Sequence, residues 1–397
     1  MKRILTIGVL TVLLFSLSTS FSGCTEEPMW EVGDATKIDT SLYEPSDVCY
    51  NNAWGQNGFV DAPGLLLYEA QDVQTAKGGI GTKAAFINKA TGTSHLFCFD
   101  PLCTHDSGNC IASEFSFVED GMMTYNAVSD KLYCIRSTPE FGGGGDSIYR
   151  VNMLASGATL VVEGDRNEVH DLAAVGKYVL WLHDLPEGGR ELCRLNVESE
   201  VVDTYPAPEG KTVSAFFLSG DHVYLLFRDE IEYYLTDPEF SETRKLEHFH
   251  WGTSWIYLRG TTAYLAKRDE SQSRRYLSLS AYDVLTGEET PLLQGDEAYW
   301  FAGISGDYIY YHTYADLSRT YRIKADGTGE PELFYTLKPS DFRDTGLAEN
   351  ALYFETLWEV NGMLVGTINA KGKSFYYLLA PEETTDTYAT KRLETYA

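Results

Sequence analysis

An all-β fold, and within it a β-propeller of seven four-stranded blades, is what three observations in this 397-residue sequence predict. A turn followed by an aromatic-rich strand recurs seven times: PGLLLY (63–68), SDKLYC (129–134), GKYVLWL (176–182), GDHVYLL (220–226), GTTAYLA (260–266), GDYIYY (306–311) and NGMLVG (361–366). A second unit, a strand ending on Asn or Asp and then turning, follows most copies. It reads AFINKATG (85–92), YRVNMLASG (149–157), CRLNVESE (193–200), YYLTDPEF (233–240), AYDVLTGE (281–288) and YRIKADGTG (321–329), with a degenerate last copy, FYYLLAPEE (375–383). Finally, no long window after residue 30 carries the i, i+3, i+4 apolar spacing of an amphipathic helix.

Each element has a physical reason. Short aromatic and β-branched runs bounded by frequent turn signals read as strands. The Asn or Asp side chain accepts a hydrogen bond from its own downstream backbone, and a following Gly takes the positive φ of the turn. A short apolar run such as ATLVVEG (158–164) or EPELFYT (330–336) then supplies a fourth strand. The copies start 40 to 66 residues apart. The mean of about 50 residues per unit is near known propeller periods. A β-helix needs much shorter coils, and a pair of sandwiches gives no reason for seven similar units. The first and last copies match least well, which leaves six and eight as the neighbouring blade counts.

Composition narrows the function. The chain has 31 Lys+Arg against 58 Asp+Glu, a formal charge of −27. No basic patch stands out against that acidity, which excludes an electrostatic nucleic-acid binder. Hydrophobic residues at 44% exclude a disordered chain. The 27 Tyr, 19 Phe and 7 Trp are expected chiefly between blades, where large flat side chains pack and keep a polar tip in water. Trp54, Trp251, Trp255 and Trp300 are the candidates for a sugar-binding surface, and the acidic run 229–232 is expected to be solvated.

The first residues read as an address. Lys2 and Arg3 precede an apolar run from Ile4 to Leu17, and small and polar residues follow. Residues 1–23 therefore read as a secretory signal peptide, with a run too short for a span of about 20 residues. Phe21-Ser22-Gly23-Cys24 resembles a bacterial lipobox, with Phe where Leu is usual, so Cys24 is the expected lipidation site. Lipid chains there would hold the protein to the membrane. Residues 24–46 read as the lipidated Cys and a flexible tether, and 47–397 as the propeller. The expected location is the extracytoplasmic face of a bacterial membrane.

Four metal-ligand side chains fall within CFDPLCTHDSGNC (98–110): Cys98, Cys103, His105 and Cys110, spaced C-x4-C-x-H-x4-C. By the phase of the repeat, Cys98 closes the fourth strand of the first blade, and 100–112 is the crossover to the second. Three thiolates and an imidazole can close a tetrahedral structural zinc site, although the spacing is not a standard finger. Disulfides compete, since an exported chain with six cysteines besides Cys24 permits three bridges. Cys103–Cys110 and Cys98–Cys134 are examples of such bridges. Both readings stay open at this point.

The same segment resembles a C-x-x-P-x-C-x-H…C signature, carried here by Cys98, Pro101, Cys103, His105 and Cys110. That signature belongs to propeller-like lipoproteins of Gram-positive gut bacteria, distantly similar to TolB-like propellers. The resemblance takes in the lipobox and the strand repeats, and so most of the chain. It implies a surface lipoprotein with a propeller domain, and the group brings no established activity with it.

Catalytic signatures are sparse. GISGD (303–307) lacks the G-x-S-x-G spacing, no H-E-x-x-H occurs, and FGGGGD (141–146) reads as a hairpin loop rather than a phosphate cradle. Asp326-Gly327-Thr328-Gly329-Glu330 reads as a hairpin turn rather than a calcium loop. His248 and His250 form the closest histidine pair; they are candidates for a base or ligand if their loop faces the channel, and the competing reading is loop histidines held by backbone hydrogen bonds. The expected function is a binding or scaffolding module for a glycan, a peptide or an envelope protein. The alternative is a polysaccharide-active enzyme using channel-lining carboxylates or histidines.

Overall fold

A computed structural model describes residues 35–43, 47–50, 59–74, 80–103, 105, 110–115, 122–137, 145–164, 168–186, 188–227, 232–250, 255–268, 275–348, 351–360, 363–370, 373–381 and 388–392. Residues 33–397 form one compact unit. The predicted signal, the lipobox and Cys24 lie outside the described residues, as do Trp54 and Trp251.

The strands form five hydrogen-bonded sheets, two of them eight-stranded. The seven separate four-stranded blades expected from the sequence are thus five sheets: each eight-stranded sheet takes in two antiparallel four-stranded meanders, so seven meanders succeed one another along the chain. We number them as blades: I (59–96), II (123–163), III (169–204), IV (213–250), V (255–294), VI (298–336) and VII (356–392). Blades V and VI merge because one 17-residue strand, Glu289–Ser305, is the outer strand of V and the inner strand of VI. Blades II and III join through a single pairing, Val169 with Gly145.

An apolar cluster fills each successive blade interface, which explains the aromatic content. In blade III the second strand, Tyr178–Asp184, is buried over its first five residues. Val179 and Trp181 face a cluster shared with blade II, while Leu180 and Leu182 face one shared with blade IV. A strand covered on both faces needs apolar residues at every position, whereas the outer strand Val201–Thr204 is exposed throughout. Tyr133, Tyr224 and Tyr264 occupy the same place in their repeats and are buried at 0%, 0% and 4% exposure. Trp255 and Trp300 belong to this core, the latter donating from Nε1 to Glu355 O at 3.2 Å, so neither forms an open sugar platform. Between blades VII and I, the Tyr376 ring meets Phe59 at 5.4 Å and Tyr68 at 5.9 Å.

The polar turns form as the sequence reading expects. Asn88, Asn152, Asn196, Asp237, Asp283 and Asp326 each accept a hydrogen bond at Oδ1 from a backbone N–H two to four residues on. Gly92 and Gly287 complete two of these turns with φ of 66° and 77°.

Two expectations need correction. Residues 35–43, expected within a flexible tether, pack against blade I. Ile38 and Tyr43 join the cluster between blades I and II, and Leu42 O accepts from Gly64 N at 2.9 Å. Residues 48–50 then pair antiparallel with Tyr257–Arg259, which lie on the inner strand of blade V. Ser219 Oγ holds this strand by donating to Asp47 O at 2.8 Å, and Arg259 Nε holds it by donating to Asp47 Oδ2 at 2.8 Å. The second correction concerns Glu232. It is not simply solvated, because hydrogen bonds from Lys211, Lys245 and Tyr234 hold its carboxyl down at about 2.

His312, on the second strand of blade VI, is fully buried. Its ring nitrogens face Arg319 O and Phe354 O, each at 3.0 Å. Burial pulls its pKa from 6.5 to about 4, against the upward pull of the two carbonyls. The native state thus binds fewer protons than the unfolded chain between these values. The associated stability is present above pH 6.5 and lost as pH falls toward 4. We expect His312→Gln to be less stable at pH 7.5 but to lose less on acidification. Denaturant midpoints of both chains at pH 7.5 and 5 check this, and parallel pH profiles would count against it.

Candidate metal centre

The strand Ser94–Leu96 ends blade I, and Cys98 comes two residues later, its N–H bonded to Leu96 O at 2.7 Å. The chain then crosses toward blade II through a tight turn in which Asp100 O accepts from Cys103 N at 3.1 Å and Asp100 Oδ1 accepts from Leu102 N at 2.9 Å. His105 follows in the left-handed region, φ 55°, an uncommon place for a residue with a Cβ. Cys110 precedes a single helical turn, α1 (Ile111–Glu114), whose Ile111 and Ala112 are buried.

This path brings together all four side chains singled out in the sequence. One donor atom from each of Cys98, Cys103, His105 and Cys110 lies within 4.8 Å of the others. His105 Nδ1 is 3.4 Å from Cys110 Sγ, and the His105 backbone N–H donates to Cys103 Sγ at 3.4 Å. His105 is 7% exposed and Cys110 2%. Ser113 Oγ pins the loop by donating to His105 O at 2.9 Å, and it accepts from the buried Lys83 Nζ at 2.8 Å.

The electrostatics are those of thiols sharing protons. A hydrogen bond from Cys98, joined by others from His105, Cys103 and Ser113, holds the Cys110 thiol far below its ordinary value despite burial. Cys98 is pushed up, first by that same bond and then by burial, and Cys103 is pushed up chiefly by burial. The six described cysteines are all free thiols. Cys49, Cys134 and Cys193 sit in three different blade-interface clusters. Cys134 lies wholly inside the core, pushed above its usual range by burial.

His248 does not face the channel. It lies on the outer strand of blade IV, Thr243–His250, exposed, with its backbone carbonyl accepting from Tyr282 Oη at 2.7 Å.

Sequence reasoning missed a second cluster, at one end of blade III. His183 and Glu191 are cross-strand partners, with Nδ1 to Oε1 at 3.4 Å, and Glu168 Oε2 is 3.5 Å from His183 Nε2. Cys193 completes a set of three possible ligands with His183 and Glu191, and its thiol donates to Glu191 at 3.8 Å. On the other face, Asp184 takes bonds from Arg190 Nε at 2.7 Å and His170 Nε2 at 3.1 Å. Burial pushes Asp184 up, but these bonds outweigh it and hold the carboxyl below its ordinary value. The available signal was the hairpin GKYVLWLHDLPEGGRELCRLN (176–196), whose register sets His183 opposite Glu191.

At the opposite ends of the strands, a cleft of about 370 Å³ lies among the turns of blades V and VI, lined by Arg259, Asp283, Asp307 and Asp326 among others. Asp326 forms an exposed turn there, as expected, with Oδ1 accepting from Thr328 N at 2.8 Å.

No protein-family model matches the chain, and no curated protein matches its sequence. Solved structures do resemble it. The β-propeller domain of the trilobed protease from Pyrococcus furiosus aligns with a TM-score of 0.50 at 12% identity, over 86% of this chain and 97% of that one. Acylaminoacyl peptidase from Pyrococcus horikoshii gives 0.49 at 14% identity, over 91% of this chain and 54% of that one. A GH74 enzyme from Niastella koreensis gives 0.49 at 12%, over 86% and 55%. The chain thus spans little more than half the length of the last two. At these identities the likeness is one of fold, and that fold is the β-propeller.

Proposed function

We propose that this chain is a lipid-anchored, extracytoplasmic binding module whose propeller presents the blade I–II crossover to a protein or peptide partner. One observation carries the reading. Leu102, at the turn between buried Cys98 and half-buried Cys103, is 89% exposed, the highest value among the exposed large hydrophobics of the described residues. A loop tied down at both ends by buried side chains and holding an apolar residue in water is a pre-organised contact, which lowers the ordering cost of binding. An apolar anchor favours a peptide or an envelope protein over a glycan. The acidic chain, at −27, favours a partner with a basic rim. Lipidation of Cys24 would place the module at the membrane surface.

The test is a photo-crosslinking amino acid placed at position 102 in living cells, with position 326 as control. We expect a discrete adduct from 102 that is lost when Cys24→Ser releases the chain from the membrane, and none from 326. Equal adducts from both positions, or none from 102, would overturn the reading. The alternative, a polysaccharide-active enzyme, draws on the ionisable cluster of blade III. Its His170–Asp184–Arg190 and Glu168–His183–Glu191 contacts bring acids and bases together at one end of the blade.

A further inference from the structure

The geometry points to a structural zinc site: Cys98, Cys103, His105 and Cys110 bind one zinc ion, and that ion builds the crossover between blades I and II. The donor chemistry comes first. Three sulfurs and one imidazole suit zinc, which takes four such ligands tetrahedrally, with Zn–S of about 2.3 Å and Zn–N of about 2.0–2.1 Å. Those bonds set donor separations of about 3.5–3.8 Å. The four donors already lie within 4.8 Å of one another, and His105 Nδ1 to Cys110 Sγ is 3.4 Å. Closing on an ion therefore needs only small side-chain movements.

The surroundings fit the same ion. The His105 N–H donates to Cys103 Sγ, a bond that orients a ligating sulfur and tempers its charge. The left-handed backbone at His105 is strain that a metal bond to its ring would offset. Three thiolates and a neutral imidazole around Zn²⁺ leave one net negative charge. Lys83, 9% exposed, sits one hydroxyl away, its Nζ bonded to Ser113 Oγ, which itself bonds to His105 O. A buried cation beside that centre is what the charge count calls for.

The disulfide arithmetic points the same way. Three cysteines make one bridge and leave an odd thiol, and Cys49, Cys134 and Cys193 sit in separate clusters. With four protein ligands the site is closed, so its role is to hold the loop rather than to activate water. Binding releases the thiol protons to solvent and needs no oxidant.

The experiment uses the full chain, purified in detergent without chelator under reducing conditions. Elemental analysis should find one zinc per chain. Exchange for Co²⁺ should give the sulfur-to-cobalt charge-transfer band and the visible bands of a tetrahedral thiolate site. His105→Cys should retain one metal and shift the visible bands. Cys103→Ser should weaken zinc binding at least about 100-fold, and Leu102→Ala should leave it unchanged. If the Ser variant fails to fold, the unsubstituted chain decides: zinc removed by chelation should return stoichiometrically, protecting three thiols from alkylation. A native chain that holds no zinc and gives no cobalt charge-transfer band would overturn the proposal. So would finding Cys98, Cys103 or Cys110 in a disulfide in a second preparation made without reductant. The readout involves no partner, so it stands or falls apart from the crosslinking test at position 102.

Discussion

Gly303→Ala is expected to destabilise the propeller by about 3 kcal/mol or more, the upper end of overpacking costs. Gly303 lies on the inner strand of blade VI, where a Cβ would sit 1.8 Å from Leu357 O and 2.9 Å from Leu357 C on the inner strand of blade VII. The obstacle is backbone, which cannot rotate away, and blade VII is fixed behind it by Phe354, Leu357 and Tyr377, all buried at 0%. One methyl group therefore forces two blades apart or breaks the pairing at the bulge between Phe301 and Gly303. Gly157→Ala is the control, since its Cβ meets nothing within 4 Å. Denaturant midpoints of the two variants should differ widely. Similar midpoints would show that the inner strands are less tightly juxtaposed than described.

The second large effect concerns the ion pair that docks the N-terminal segment. Lys89 Nζ pairs with Asp61, with side-chain exposures of 1% and 30%, and also donates to Leu42 O at 3.1 Å beneath the Tyr43 ring. Removing the acid leaves a buried ammonium with less compensation, which costs about 3 kcal/mol or more in comparable sites. We expect Asp61→Ala to approach that cost, discounted because Asp61 is partly exposed. Replacing both members with Asp61→Leu and Lys89→Met should recover much of the loss, since the desolvation penalty goes with the charge. Limited proteolysis should also find residues 35–43 cut sooner in Asp61→Ala. Unchanged proteolysis together with unchanged stability would remove Lys89 from its role as clasp.

What could be read from the sequence followed the range of the interaction. The Asx turns from Asn88 to Asp326 are encoded within five residues, so the repeat and the propeller fold could be read directly, whereas the merging of neighbouring units into five sheets could not. The Cys98–Cys110 centre spans thirteen residues for the same reason. The pairing of His183 with Glu191 needs a strand register, and patterns of residue type do not supply one until the hairpin is aligned. The channel role for His248 was conditional on a loop position, and its outer-strand position depends on the strand continuing eight residues from Thr243 to His250. The docking of 35–43 was hidden by polar composition; Ile38 and Tyr43 supply its apolar contact, and the carbonyls of Lys37 and Leu42 take hydrogen bonds from blade I.

The strand Val48–Tyr50 has a consequence for the order of assembly. Its hydrogen-bond partners are Tyr257–Arg259, more than two hundred residues away. A ribosome delivers those partners only after blades I to IV have been made, so among the first described segments to emerge is one of the last able to lock. Until then its backbone groups must be satisfied by water, and closing so long a loop is slow. The chain therefore carries its own late checkpoint. Blades I to IV can zip locally in sequence, but this first strand finds its partner only when the inner strand of the fifth arrives.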